Sequence, residues 1–124
     1  LVSSGKTVYV SGGAVLMGRI NIDNAEDVKV LGRGMIYHMV KGGIRIANSK
    51  NILVEGLITT QCATGGSDNV TIRNVKSISY YQWGDGMNVF ASNNILFDGV
   101  FSVIQTIVLL YTEQEAVLQV VAKI

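Results

Sequence analysis

Apolar residues along this chain recur at every second position in short bursts, and each burst is closed by Asn, Asp or Gly. Four segments share the pattern: Asp27-Val28-Lys29-Val30-Leu31-Gly32, Asn51-Ile52-Leu53-Val54-Glu55-Gly56, Asn69-Val70-Thr71-Ile72-Arg73-Asn74 and Asn94-Ile95-Leu96-Phe97-Asp98-Gly99. They begin at residues 27, 51, 69 and 94, so the spacings are 24, 18 and 25. A further burst precedes three of them at constant distance. Ile20 and Ile22 stand before Val28, Ile44 and Ile46 before Ile52, and Met87 and Val89 before Ile95. A period of two predicts half-buried strands, with Ile20/Ile22, Val28/Val30, Ile44/Ile46, Ile52/Val54, Val70/Ile72, Val89 and Ile95/Phe97 facing inward and Lys29, Arg45, Arg73 and Asp98 facing out.

Between the paired strands lie Asn24-Ala25-Glu26-Asp27, Asn48-Ser49-Lys50-Asn51 and Ser92-Asn93-Asn94. Such residues tolerate left-handed backbone and bond to their own main chain, so these stretches are expected to be corners. Short strands, Asn-rich corners and a repeat of about 18 to 25 residues describe a solenoid whose coils stack on one another. A β-sandwich also spaces short strands regularly, but its hairpins favour two-residue Asn-Gly or Asp-Gly turns, and none joins these strands. The expected fold is all-β, a right-handed, single-stranded parallel β-helix that is incomplete.

Composition narrows the partners. The chain has 124 residues, 48% of them hydrophobic and 15% charged, with 14 glycines and no proline. That excludes a disordered tail, a collagen-like repeat, a charged coiled coil and a multidomain enzyme. The net charge of +1 is too small to hold nucleic acid or an anionic bilayer by electrostatics alone, so neither is expected as a partner. The longest apolar stretch, Ile107 to Tyr111, is far short of the ~18 residues of a membrane helix. Cys62 is the only cysteine and His38 the only histidine, too few for a Cys/His zinc site. Cys62 reads as a small buried hydrophobe and His38 as a strand-end residue. Gly12-Gly13, Gly42-Gly43 and Gly65-Gly66 lack the lysine and helix of a phosphate loop and read as turns. The opening Leu1-Val2-Ser3-Ser4-Gly5 has no initiator methionine, charged n-region or cleavage site, and reads as an excerpt whose natural start is missing.

The run from Val8 to Phe101 resembles the polygalacturonase family of glycoside hydrolases and its dextranase-like relatives. The residues that carry the likeness are Val8-Tyr9-Val10-Ser11-Gly12-Gly13-Ala14-Val15, Val30-Leu31-Gly32-Arg33-Gly34-Met35-Ile36, Gly43 through Ile52, and above all Asp85-Gly86-Met87-Asn88-Val89-Phe90-Ala91-Ser92-Asn93-Asn94-Ile95. The resemblance implies inverting hydrolysis of a polysaccharide such as pectin, in the extracellular space or periplasm, with no cofactor and no metal. Inversion divides the work between a carboxylic acid that protonates the glycosidic oxygen and a carboxylate that activates water across a gap of about 6.5 to 9.5 Å. Asp85 matches the first catalytic aspartate of the family, although Trp83 and Gly84 replace the Asn and Thr that usually precede it. Tyr80, Tyr81 and Trp83, whose rings could stack on sugars, are candidate substrate-binding residues together with Asn88.

The likeness then breaks. Where the family carries an Asp-Asp pair followed by Cys-Ile-Ala-Leu, this chain reads Gln105-Thr106-Ile107-Val108-Leu109-Leu110-Tyr111. The later Gly-His-Gly and Arg-x-Lys elements have no counterpart before Ile124. Codons exist for Ile104 to Tyr111 that, read one frame over, spell Ser-Asp-Asp-Cys-Ile-Ala-Leu. Residues 1–102 are therefore expected to be a partial β-helix, and residues 103–124 an atypical tail that is either out of frame or a solenoid cap. Glu113 to Ile124 is rich in helix formers and holds no corner. With Asp85 lacking an acid partner, the chain as given is expected to be an inactive piece of a glycosidase. A noncatalytic carbohydrate-binding β-helix and a purely structural solenoid are the alternatives. Exposed coil ends are expected to drive self-association.

Overall fold

A computed structural model describes residues 1–37, 42–78, 87–103, 110–113 and 118–122, with side chains described as far as residue 102. The chain forms a β-solenoid of about 4 turns. Each coil contributes one strand to each of three faces. The first face holds β1 (Thr7–Val10), β4 (Glu26–Gly32), β7 (Lys50–Glu55), β10 (Asp68–Arg73), β13 (Asn93–Val103) and β15 (Leu118–Ala122). The second holds β2 (Val15–Met17), β5 (Met35–Tyr37), β8 (Ile58–Thr59), β11 (Lys76–Ile78) and the later part of β13, which bends round the corner at Gly99. The third holds β3 (Ile20–Asp23), β6 (Ile44–Ala47), β9 (Cys62–Gly65), β12 (Met87–Phe90) and β14 (Leu110–Glu113).

Every described pairing is parallel, which removes the antiparallel sandwich. The repeated motifs stack on themselves. Val28, Ile52, Val70 and Ile95 form one rung row, and Val30, Val54, Ile72 and Phe97 the next. On the third face the rows are Ile20, Ile44, Cys62, Met87 and Ile22, Ile46, Thr64, Val89. All of these side chains are buried, and all but Thr64 belong to one continuous hydrophobic core. Each buried Val, Ile or Phe contributes roughly 1.5–3 kcal/mol, so matching like with like along a row also avoids voids.

The corners explain the asparagines. Each turn from third to first face has four residues and places its first and fourth in left-handed backbone. These are Asn24 and Asp27, Asn48 and Asn51, Gly66 and Asn69, and Ala91 and Asn94, with φ between 49° and 58°. Outside, the corner side chains form a ladder: Asn51 Nδ2 donates to Asp27 Oδ1 at 3.2 Å, and Asn69 Nδ2 to Asn51 Oδ1 at 2.7 Å. Inside runs a buried serine ladder. Ser49, Ser67 and Ser92 each donate a hydroxyl to the carbonyl two residues back, at 2.7, 2.9 and 3.0 Å. Each hydroxyl also accepts a backbone N–H from the coil before, from Ala25, Ser49 and Ser67 respectively. The corner from first to second face carries Gly32, Gly56, Asn74 and Gly99 in positive-φ backbone, and at Gly56 the demand is steric. Gly56 has φ 89°, and a Cβ there would run into the carbonyl oxygen of Gly32 one coil below.

Two findings depart from the sequence reading. Residues 110–113 and 118–122 are strands that extend the ladders of β12 and β13, and the second of them falls in the Glu113–Ile124 stretch that is rich in helix formers. An available strand edge outweighs intrinsic propensity. Gly65 is the last residue of a strand rather than part of a turn.

Candidate functional site

Period-two geometry that buries Ile44, Cys62 and Met87 sends the alternate side chains of the third face outward. In register these are Asn21, Arg45, Ala63 and Asn88, then Asp23, Ala47, Gly65 and Phe90. The row is small in its centre and large at its ends, and a groove of about 470 Å³ results. Arg19, Arg45, Gln61 and Phe90 border it, with Ala63 and Gly65 on its floor. That volume lies within the range of about 300–1,000 Å³ found for small-ligand sites.

The bare backbone of glycine seats two of these side chains. A Cβ on Gly65 would stand 2.6 Å from Cε2 of Phe90, so the ring lies directly against that residue. Phe90 nevertheless stays 43% exposed, an aromatic surface open to the groove. A Cβ on Gly42 would stand 2.7 Å from Oε1 of Gln61, so the amide rests over Gly42 in the same way.

Arg19 sits one residue before β3 and is partly buried. Its Nε is out of water and has no hydrogen-bond partner. Burial, and secondly the charge of Arg45, hold the Arg19 guanidinium below its ordinary pKa. An unmatched buried donor costs about 1–3 kcal/mol, more for a charged group. Arg45 Nη1 lies 3.9 Å from Asp23 Oδ2, with both side chains substantially exposed. Such a pair is worth on the order of 0–1 kcal/mol. Cys62 lies under this face, fully buried, and burial pushes its thiol up to about 12. It is a core residue and not a nucleophile.

Asn88 is partly buried on the outer row beside Ala63. Asp85, Tyr80, Tyr81 and Trp83 lie outside the described residues, as does His38. On this face Arg45 engages Asp23, and Glu113 of β14 stands in register with Phe90. Asp27, Glu55, Asp68 and Asp98 belong to the first face or its corners. The described groove therefore offers cationic and amide donors beside an aromatic ring, which can hold a hydroxylated or charged ligand. It does not offer two carboxylates facing each other across a gap.

No family model matches the sequence, and no curated protein matches it. Among solved structures, a crystal structure of a "putative glycosyl hydrolase" from Parabacteroides merdae superposes with a TM-score of 0.80. The match covers 98% of this chain and 73% of that one at 11% sequence identity. The likeness is one of fold. A parallel β-solenoid is what the two chains share.

Arg19, Gln61 and Phe90 were absent from the sequence candidates. Phe90 did leave a signal, because it is an apolar residue at the outward position of a strand whose inward residues are Met87 and Val89. Arg19 left none, since its role depends on a neighbour 26 residues away across the coil.

Proposed function

We propose that the chain is the β-solenoid of a polygalacturonase-type glycoside hydrolase relative that binds a polysaccharide across the outer face of the third sheet and does not cleave it. One observation carries the proposal: Phe90 lies exposed against Gly65 in the same open groove as Arg45 and Gln61. A ring face packs on the C–H surface of a sugar, while guanidinium and amide groups bond its hydroxyls. The groove crosses successive coils, whose strands are spaced about 4.8 Å apart, so an extended polymer can lie along it. Support for the family comes from sequence. Asp85-Gly86 directly precedes β12, the strand that carries Phe90, and the Asn-rich corner follows it. Pectin-type polymers are the first to test, and they place the protein outside the cytoplasm. The absence of hydrolysis follows from the chain's lack of the family's Asp-Asp pair, which leaves Asp85 without an acid partner.

Affinity electrophoresis against a panel of pectic, neutral and sulfated polysaccharides tests binding, and a reducing-end assay tests cleavage. The expected outcome is retarded migration with at least one polymer, lost in Phe90→Ala, without release of reducing ends. Migration unaffected by every polymer would overturn the binding proposal. Release of reducing ends would overturn the inactive assignment.

A further inference from the structure

The outer corner ladder stops one rung short. Asn51 donates to Asp27 and Asn69 to Asn51, but the next amide, Asn94 Nδ2, turns to Asp68 Oδ1 at 3.0 Å instead of continuing to Asn69. Asn69 is exposed, on a left-handed corner at φ 57°. Its amide nitrogen carries two N–H groups, and the bond to Asn51 uses one. Beside it, on the outer side of the first face, lies a groove of about 370 Å³ bordered by Lys29, Leu53, Thr71 and Arg73. Of the nine asparagines, Asn69 alone is followed two positions on by Ser or Thr, in Asn69-Val70-Thr71. That tripeptide is the acceptor motif for attachment of a saccharide to an asparagine amide.

We propose that Asn69 is an N-glycosylation site. This rests on the reading that places the protein outside the cytoplasm. The donor is an oligosaccharide carried on a polyprenyl diphosphate. Asn69 Nδ2 forms a bond to C1 of the first sugar, the C1–O bond to the diphosphate breaks, the diphosphate leaves with the electron pair, and one Nδ2 proton is released. The other N–H remains for Asn51 Oδ1, so the ladder survives the modification. Val70 is fully buried, stacked between Ile52 and Ile95, so transfer to this tripeptide precedes stacking of the coils, and the fold must then accept the product. It can, because the corner amide of the following coil turns away and the first-face groove gives the attached sugars room to lie. Asn69 stands on the corner and first face, so the saccharide leaves the groove of the third face open.

The test has two arms. In the first, the full chain is exported through a eukaryotic secretory pathway behind a cleavable leader, and the product is read by gel mobility and by glycopeptide mass spectrometry. The expected result is a slower band that collapses on enzymatic release of N-linked saccharide, with the added mass on Asn69. Thr71→Val, which keeps the branched strand residue and the corner intact, should abolish the shift, and Thr71→Ser should restore it; thermal unfolding by circular dichroism shows that both variants fold. An unmodified Asn69 in the exported chain would overturn the site, as would a shift that persists in Thr71→Val. In the second arm, protein from the source organism is separated into extracellular and intracellular fractions and the peptide holding Asn69 is weighed. Extracellular protein modified at Asn69 is the expected outcome. Extracellular protein with Asn69 bare would overturn the modification and leave the location standing, whereas protein found only inside the cell and bare would overturn both.

Discussion

The buried serine ladder makes the sharpest demand on stability. Ser67 is 3% exposed, and its hydroxyl donates to Gly65 O at 2.9 Å while accepting the N–H of Ser49 at 3.1 Å. In Ser67→Ala the carbonyl of Gly65 keeps a partner, since Asn48 N also donates to it at 3.0 Å. Among the described residues the N–H of Ser49 has no other acceptor. Loss of one hydrogen bond at about 1 kcal/mol and stranding of a buried N–H at about 1–3 kcal/mol give about 2–4 kcal/mol. For a chain of this size that is a fall in Tm of roughly 10 °C. The control is Ser4→Ala, whose hydroxyl accepts Glu26 N at 2.9 Å in an exposed setting where water can substitute. It should change stability by no more than about 0.5 kcal/mol. Thermal unfolding followed by circular dichroism compares the two. A Ser67→Ala shift no larger than that of Ser4→Ala would refute the ladder as a source of stability.

Ala91 occupies a left-handed corner position, at φ 51°, which Asn24, Asn48 and Gly66 occupy in the other coils. Ala91→Asn should therefore stabilise by about 0.5–1 kcal/mol in urea titration, and a destabilised variant would contradict the corner assignment. Cys62 has its folded pKa raised from 9.0 to about 12, so the neutral thiol is the form the fold accepts. Its contribution is full below pH 9 and declines as pH rises toward 12, by about 1.4 kcal/mol per unit as the unfolded thiol ionises. Cys62→Ala should lack that part of the alkaline slope, and native Cys62 should resist thiol reagents at pH 8; rapid labelling of the folded protein would contradict its burial. The first coil exposes Tyr9, Val15 and Met17 at 68%, 54% and 73% beside the strand edges of β1 and β2. Self-association that grows with concentration is expected in sedimentation, and a monomer at all concentrations would contradict it.

Most of the first and third faces could be read from sequence, because their strands carry two inward residues each and repeat at a constant offset from Asn-rich corners. The second face could not. Its strands run only two or three residues, and in register they place Ile36, Thr59 and Ser77 inward, a row that is mostly polar. One inward side chain per strand leaves no periodicity to detect. The strand at 118–122 was illegible for the opposite reason, since the surrounding stretch is rich in helix formers while the pairing partner is remote. For the site, sequence indicated β12 and Asn88 through resemblance. The groove itself needed three dimensions: Phe90 meets Gly65, and Arg19 comes within reach of Arg45, only after coils stack.

The most direct test of the account is a crystal structure of this chain soaked with an acidic oligosaccharide. The account predicts a sugar ring against Phe90, above the floor of Ala63 and Gly65. Density for the sugar on another face, or a groove still empty at saturating ligand, would contradict it.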